Sequence, residues 1–200
     1  MNEAEVDMGS PRGEYWDDGA CEAAAESFCD DRGLNIVRRL GAGVDGVVFK
    51  TADDSAVKVA RTRPLHEREV EVYFRLMDRE VDFVEGFSVP RMLYADAEYR
   101  ALEMSIVRPP YCLDFATVTL DSPPDWDDER AAAFDESLDE YFGPEADRVR
   151  SVIATFIGFG VYLTDPHPGN IRPAGGRFAT PPAASSSRHR GPRRPPRTPP

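Results

Sequence analysis

Glycines at 41, 43 and 46 stand between two runs of strand-forming residues, with Ile36, Val37 and Leu40 before them and Val47, Val48 and Phe49 after. Glycine has no Cβ, so a backbone this rich in it turns tightly and brings its N–H groups against a ligand's oxygens. The residues after the turn discriminate among its possible uses. A dinucleotide-binding fingerprint needs a helix directly after the glycines, and a P-loop needs Gly-Lys-Ser/Thr. Here Gly46 leads into VVFKT, β-branched and aromatic, then through the turn residues of TADDS into the strand-like AVKVA. The segment therefore reads as strand, glycine turn, strand, tight hairpin, strand, with the glycines in a flap between antiparallel strands.

Beyond the hairpin, Leu65, Glu69, Val72, Tyr73 and Leu76 recur at helical spacing, which predicts a helix over 64–77 with Pro64 in its first turn. VPRMLYA and YRALEMSIV, separated by polar residues 96–98, predict two further strands, and Pro109-Pro110 ends the second. The remainder reads helical. Asp125 stands where it would cap a helix containing Trp126, Phe134, Leu138 and Phe142, and Gly143-Pro144 breaks it. Ala146, Val149, Val152, Ile153, Phe156 and Ile157 mark another helix, while VYL and NIR are short strand candidates on either side of DPHPG. The fold class is α+β. Residues 1–32 read as an acidic, loosely ordered lead-in with a short helix over Cys21 to Phe28, 33–108 as a β-rich unit, and 109–178 as a smaller helical one. The Pro, Ser, Ala and Arg of 179–200 predict a disordered tail.

Charge and cysteine content narrow the function classes. Residues 1–171 hold all 36 acidic residues and all but seven of the 24 Lys and Arg, a net −19, whereas 172–200 hold seven Arg and no acid. An acidic body repels phosphate backbones, so nucleic acid is not the expected partner. Cys21, Cys29 and Cys112 form no C-x-x-C pair and read as reduced thiols of a cytoplasmic protein. No signal peptide is expected from the opening residues. The longest apolar run, Val152 to Leu163, falls short of the about 20 residues needed to span a bilayer, so no membrane role is expected.

The chemistry-bearing residues lie in two places. Lys58 sits in a strand whose neighbours Val57 and Val59 face the other way, and Glu69 falls on the apolar side of the predicted helix, better placed than Glu67 or Glu71. Asp165 and Asn170 are five positions apart in DPHPGN, a string that also has the composition of an ordinary turn. Leu40 to Leu76 resembles the N-terminal lobe of the protein-kinase-like superfamily. DPHPGN resembles the catalytic loops of the ubiquinone-biosynthesis-associated atypical kinases and, more loosely, those of aminoglycoside phosphotransferases. The resemblance implies a kinase-like fold, with a five-stranded antiparallel sheet plus one helix over an abbreviated, mostly helical second lobe. It also implies ATP and Mg2+ as cofactors and a protein or small-molecule hydroxyl acceptor. Gly41, Gly43, Gly46, Val48, Ala56 and Lys58 would surround the nucleotide, Glu69 would pair with Lys58, Asp165 would take the acceptor's proton, and Asn170 would hold the metal.

Two departures temper the activity that this resemblance implies. Asp45 places a carboxylate at the tip of the glycine turn, unhelpful beside phosphates unless it faces outward or caps the turn. A kinase also carries a second metal-binding aspartate in Asp-Phe-Gly after the catalytic loop, yet no Asp or Glu comes after Asp165. Leu113-Asp114-Phe115-Ala116 precedes the loop and on that ground is excluded from the role. The expectation is weak nucleotide binding with slow or absent turnover, or a non-catalytic nucleotide-binding or interaction module. The acid-free ending suggests either a replaced C-terminus or a minimal second lobe.

Overall fold

A computed structural model of the chain describes residues 14–174. The tail expected to be disordered, 179–200, lies outside the described residues, as do residues 1–13 of the lead-in. Helix α1 (Asp18–Arg32) precedes strands β1 (Ile36–Ala42), β2 (Gly46–Thr51) and β3 (Ser55–Ala60), and helix α2 (Arg63–Asp78) comes after them. The short pair β4 (Phe83–Val84) and β5 (Phe87–Ser88) leads to β6 (Met92–Asp96) and β7 (Ala101–Ser105). Then come β8 (Tyr111–Cys112), β9 (Thr119–Leu120), α3 (Asp128–Phe142), a 3-10 turn, α4 (Ala146–Gly158), β10 (Val161–Tyr162) and β11 (Ile171–Arg172).

The longer strands form one antiparallel sheet of five, in the order β1-β2-β3-β7-β6. Strand alternation sends successive side chains of β2 and β3 to opposite faces. Val47, Phe49, Val57 and Val59 pack with α1 in one core. Ala56, Leu102 and Met104 join the other core, with α2, α3, α4 and the short strands. Both faces of β3 are therefore covered, and all six of its residues are buried.

Helix α1 departs from the expected lead-in. It runs for 15 residues rather than the short span Cys21 to Phe28. Asp17 caps it, accepting the Ala20 N–H at 2.9 Å, and Gly33 ends it in the left-handed conformation at φ 67°. Its buried face is Cys21, Ala25, Phe28 and Cys29, an i, i+4, i+7, i+8 stripe. Small Ala and Cys side chains made that stripe inconspicuous in the sequence. The cysteines are unpaired, and burial, with Glu103 and Asp30 nearby, pushes the Cys29 thiol up to about 11.

Helix α2 buries His66, Glu69, Val72, Tyr73 and Leu76; His66 takes the inward position that Leu65 was expected to hold. Helix α3 is capped by Asp127, which accepts the Arg130 N–H at 2.8 Å, instead of by Asp125. Trp126 stays outside that helix and stacks on Phe134, with ring centroids 4.9 Å apart. The strand candidates flanking DPHPG do form, but they do not pair with each other. β10 pairs antiparallel with β9, and β11 with β8. This double clasp brings residues 113–118 alongside 163–170. No helix among the described residues is long and apolar enough to cross a membrane.

Two measurements check this architecture. Phe28, 1% exposed, fills the core between α1 and the sheet. Phe28→Ala is expected to lower the unfolding free energy by about 3–5 kcal/mol in urea titrations, whereas a loose lead-in would make the change neutral. His66 is buried, and its Nε2 donates to the Ala101 carbonyl at 3.1 Å. Burial holds its pKa below the ordinary 6.5, so below that pH the unfolded chain takes up a proton that the fold does not. Stability should thus fall as pH drops from 6.5, and His66→Gln should flatten this slope in denaturation series at matched ionic strength.

Candidate functional site

β3, α2 and the segment after β8 converge on Lys58. Its Nζ lies 2.8 Å from Glu69 Oε2 and 2.7 Å from Asp114 Oδ1. Lys58 is 5% exposed and Glu69 2%. Burial works against the ammonium charge, but the two carboxylates outweigh it and hold the Lys58 pKa above its ordinary value. Burial raises the carboxyl of Glu69, with Lys58 opposing, and Glu69 also accepts the backbone N–H of Phe115. Burial likewise acts to raise the Asp114 carboxyl, but Lys58 prevails and holds it below the usual carboxylate range.

Local sequence explains each placement. Val57 and Val59 belong to the α1 core, so alternation turns Lys58 to the opposite face. Glu69 lies one turn beyond His66 on the buried side of α2, whereas Glu67 and Glu71 are exposed. Asp114 adopts a left-handed backbone at φ 73°, a region that Asp tolerates better than most residues. Phe115 behind it is fully buried, with ring centroids 5.4 Å from both Tyr73 and Phe156, and it anchors this turn between α2 and α4.

The DPHPGN loop is held by its own polar groups. Asn170 Nδ2 donates to the Asp165 carbonyl at 3.0 Å, and the Gly169 N–H donates to His167 Nδ1 at 3.0 Å. The loop is also tied to the Asp114 segment, because the Leu113 N–H donates to the Asn170 carbonyl at 2.8 Å and the Thr164 hydroxyl to the Thr117 carbonyl at 2.6 Å. Asp114, Asp165 and Asn170 line one small cavity with Leu113, Thr117 and Leu163. The fold thus joins Lys58 and Glu69 to Asp165 and Asn170, which are about a hundred positions away in the sequence, and adds Asp114.

Asp114 is the residue that sequence reasoning set aside. The signal was present in Leu113-Asp114-Phe115-Ala116, which its place before the DPHPGN loop excluded. In a kinase the metal-binding aspartate lies beyond that loop. Asp114 comes before the DPHPGN loop, and the β8–β11 and β9–β10 pairs bring the two segments together regardless of order. No Asp or Glu comes after Asp165, but the fold places the Asp114 carboxylate on the same cavity as Asp165 and Asn170.

On the glycine turn, the Gly43 N–H donates to the Gly46 carbonyl at 2.9 Å. A Cβ on Gly46 would stand 2.4 Å from the Val59 carbonyl oxygen, whereas at Gly41 or Gly43 it would meet nothing within 4 Å. Packing therefore requires only Gly46. Val48 lies opposite Lys58 in the β2–β3 register and packs against the core that contains Ala56. Asp45 does not face outward. It is half-buried, and burial, Asp114 and Asp165 raise its carboxyl against the pull of Lys58.

The sheet, the glycine turn, a third-strand lysine and its helix glutamate make the fold kinase-like. No family model matches the chain, and no similar curated protein was found. Among solved structures, the gentamicin complex of APH(2'')-IIa is 22% identical over 43% of this chain and 28% of that one, with a TM-score of 0.35. The ADP-bound aminoglycoside phosphotransferase APH(2'')-Ib is 20% identical over 56% of this chain and 35% of that one, at 0.35. The streptomycin–ATP complex of APH(2'')-IIa is 21% identical over 66% and 43%, at 0.34. The chain spans less than half the length of each of these structures. With TM-scores this low, the functional reading rests on the site's own geometry.

The glycines separate structural need from other uses. Gly46→Ala is expected to cost about 1–3 kcal/mol in chemical denaturation, because the Val59 backbone has to shift. Gly41→Ala should stay within about 0.5 kcal/mol of the parent.

Proposed function

We propose that this chain binds ATP with Mg2+ and transfers the γ-phosphoryl group to a hydroxyl of a protein or small-molecule acceptor. The observation that carries the reading is Lys58, bridged by Glu69 and Asp114 beside the cavity that Asp165 and Asn170 line. An ammonium held by two carboxylates is fixed in direction, as contact with a triphosphate demands. Val48 and Ala56 would flank the base, and the turn of Gly41, Gly43 and Gly46 would cover the phosphates.

The donor set fits Mg2+, a hard cation that takes one or two protein oxygens and completes its shell with phosphates and water. Among the described residues no group of three or more His, Cys, Asp and Glu is arranged to hold a metal by itself. Asp114 and Asn170 instead offer one carboxylate and one amide oxygen on a shared cavity. Once bound there, the ion would neutralise charge developing on the transferred group. Asp165, more than half exposed at its side chain with its Oδ2 3.7 Å from His167 Nε2, would accept the acceptor hydroxyl's proton. The Asn170 amide, donating to the Asp165 carbonyl, positions that residue. The non-catalytic alternative rests on the lack of an acidic ligand after Asp165, and a carboxylate at Asp114 favours transfer over it.

Purified protein should show a Mg2+-dependent thermal shift with a non-hydrolysable ATP analogue, and Lys58→Met and Asp114→Asn should each abolish most of it. Labelled ATP with generic protein and small-molecule acceptors should give transfer that Asp165→Asn reduces by about 10²–10⁴-fold with the thermal shift retained. A parent protein giving neither shift nor transfer would overturn the reading.

A further inference from the structure

Arg61, directly after β3, is 6% exposed, and it joins the glycine turn to the segment ahead of α1. Its Nε donates to the Gly43 carbonyl at 2.8 Å, Nη1 to the Trp16 carbonyl at 3.2 Å and Nη2 to Asp18 Oδ1 at 2.6 Å. Its backbone takes part as well. The Arg61 N–H donates to the Asp45 carbonyl at 2.9 Å, and the Arg61 carbonyl accepts the Trp16 N–H at 2.9 Å and Arg100 Nη1 at 3.0 Å. Arg100 stacks its guanidinium 3.9 Å from the centre of the Trp16 ring, and Asp18 also accepts from Arg39 of β1 at 2.6 Å. Residues 14–18 are thereby fastened to β1 directly and, through Arg61, to the glycine turn.

A glycine turn is the part of such a site with the most conformational freedom to lose on binding. Packing does not restrain Gly41 or Gly43, which have no neighbour within Cβ reach. A buried guanidinium with five donors in a fixed fork can hold two backbone carbonyls and a carboxylate at once, which a lysine cannot do.

We infer that Arg61 is a positioning residue which, locked by Trp16 and Asp18, holds the glycine turn ready for the phosphates of a bound nucleotide. The segment ahead of α1 thereby sets phosphate affinity without touching the ligand. Pre-ordering a loop raises affinity by lowering the entropy lost on binding. The base, lying against Val48 and Ala56, would not sense the clamp. This inference rests on the proposed nucleotide site, but its structural half is testable without any nucleotide.

The experiment uses the full chain with Arg61→Lys and Asp18→Asn, the second serving if the first does not fold. Hydrogen exchange of ligand-free protein reads the turn, and calorimetric titration compares a non-hydrolysable ATP analogue with adenosine. Faster exchange across 41–46 and an analogue affinity lower by about tenfold, as loss of a charge-assisted hydrogen bond implies, are expected, with adenosine affinity within about twofold of the parent. Unchanged exchange in the folded variants would overturn the clamp, as would parallel losses for adenosine and the analogue. If the parent binds neither ligand, the proposed function fails, and exchange alone decides the clamp.

Discussion

The buried Lys58 ammonium, held between the carboxylates of Glu69 and Asp114, is the interaction on which the rest of the site depends. Removing Lys58 from such a cluster leaves uncompensated carboxylate charge, at about 3–5 kcal/mol in comparable cases. That penalty links parts of the chain with little else in common: a sheet strand, the helix carrying Glu69 and the turn carrying Asp114. Two carboxylates facing one cation also leave the cluster with excess negative charge.

The second constraint is the clasp of two-residue strands around that turn. β8 and β9 bracket Asp114, β10 and β11 bracket the DPHPGN loop, and the two brackets pair. Pairs this short are not stable alone. They persist here because Cys112, Val161 and Ile171 sit in the same core as α2 and α4, and because Phe115 is buried between those helices. The core thereby holds polar loops that have few contacts of their own with the sheet. A site assembled from paired brackets is indifferent to which bracket comes first along the chain, so the Asp114 turn and the DPHPGN loop meet although Asp114 comes first.

The sheet, in turn, is usable because both of its faces are covered. With α1 absent, Val47, Phe49, Val57 and Val59 would form an exposed apolar surface, of the kind that drives association. With α1 in place, β3 is buried from end to end and Lys58 projects from a packed strand. The same helix brings Trp16 and Asp18 to Arg61, so one element both closes a core and reaches the glycine turn.

Strand alternation, the helical period and the special backbone of glycine are local properties, so the sequence alone determined the hairpin around Gly41, Gly43 and Gly46. It likewise determined the inward direction of Lys58, the choice of Glu69 over Glu67 and Glu71, and the two C-terminal helices. Asp165 and Asn170 were legible as a loop with a known spacing. Tertiary structure alone decided what meets across the cleft. Asp114 was judged by its order in the chain, and order carries no information about distance once short strands pair across more than 50 residues. The extent of α1 was hidden for a different reason. Its buried stripe is made of Cys and Ala, whose weak hydrophobicity becomes a core only when a sheet of valines lies opposite. Asp45 turned inward because Arg61 and the segment ahead of α1 fasten the loop around it, and no local pattern encodes a contact of that length.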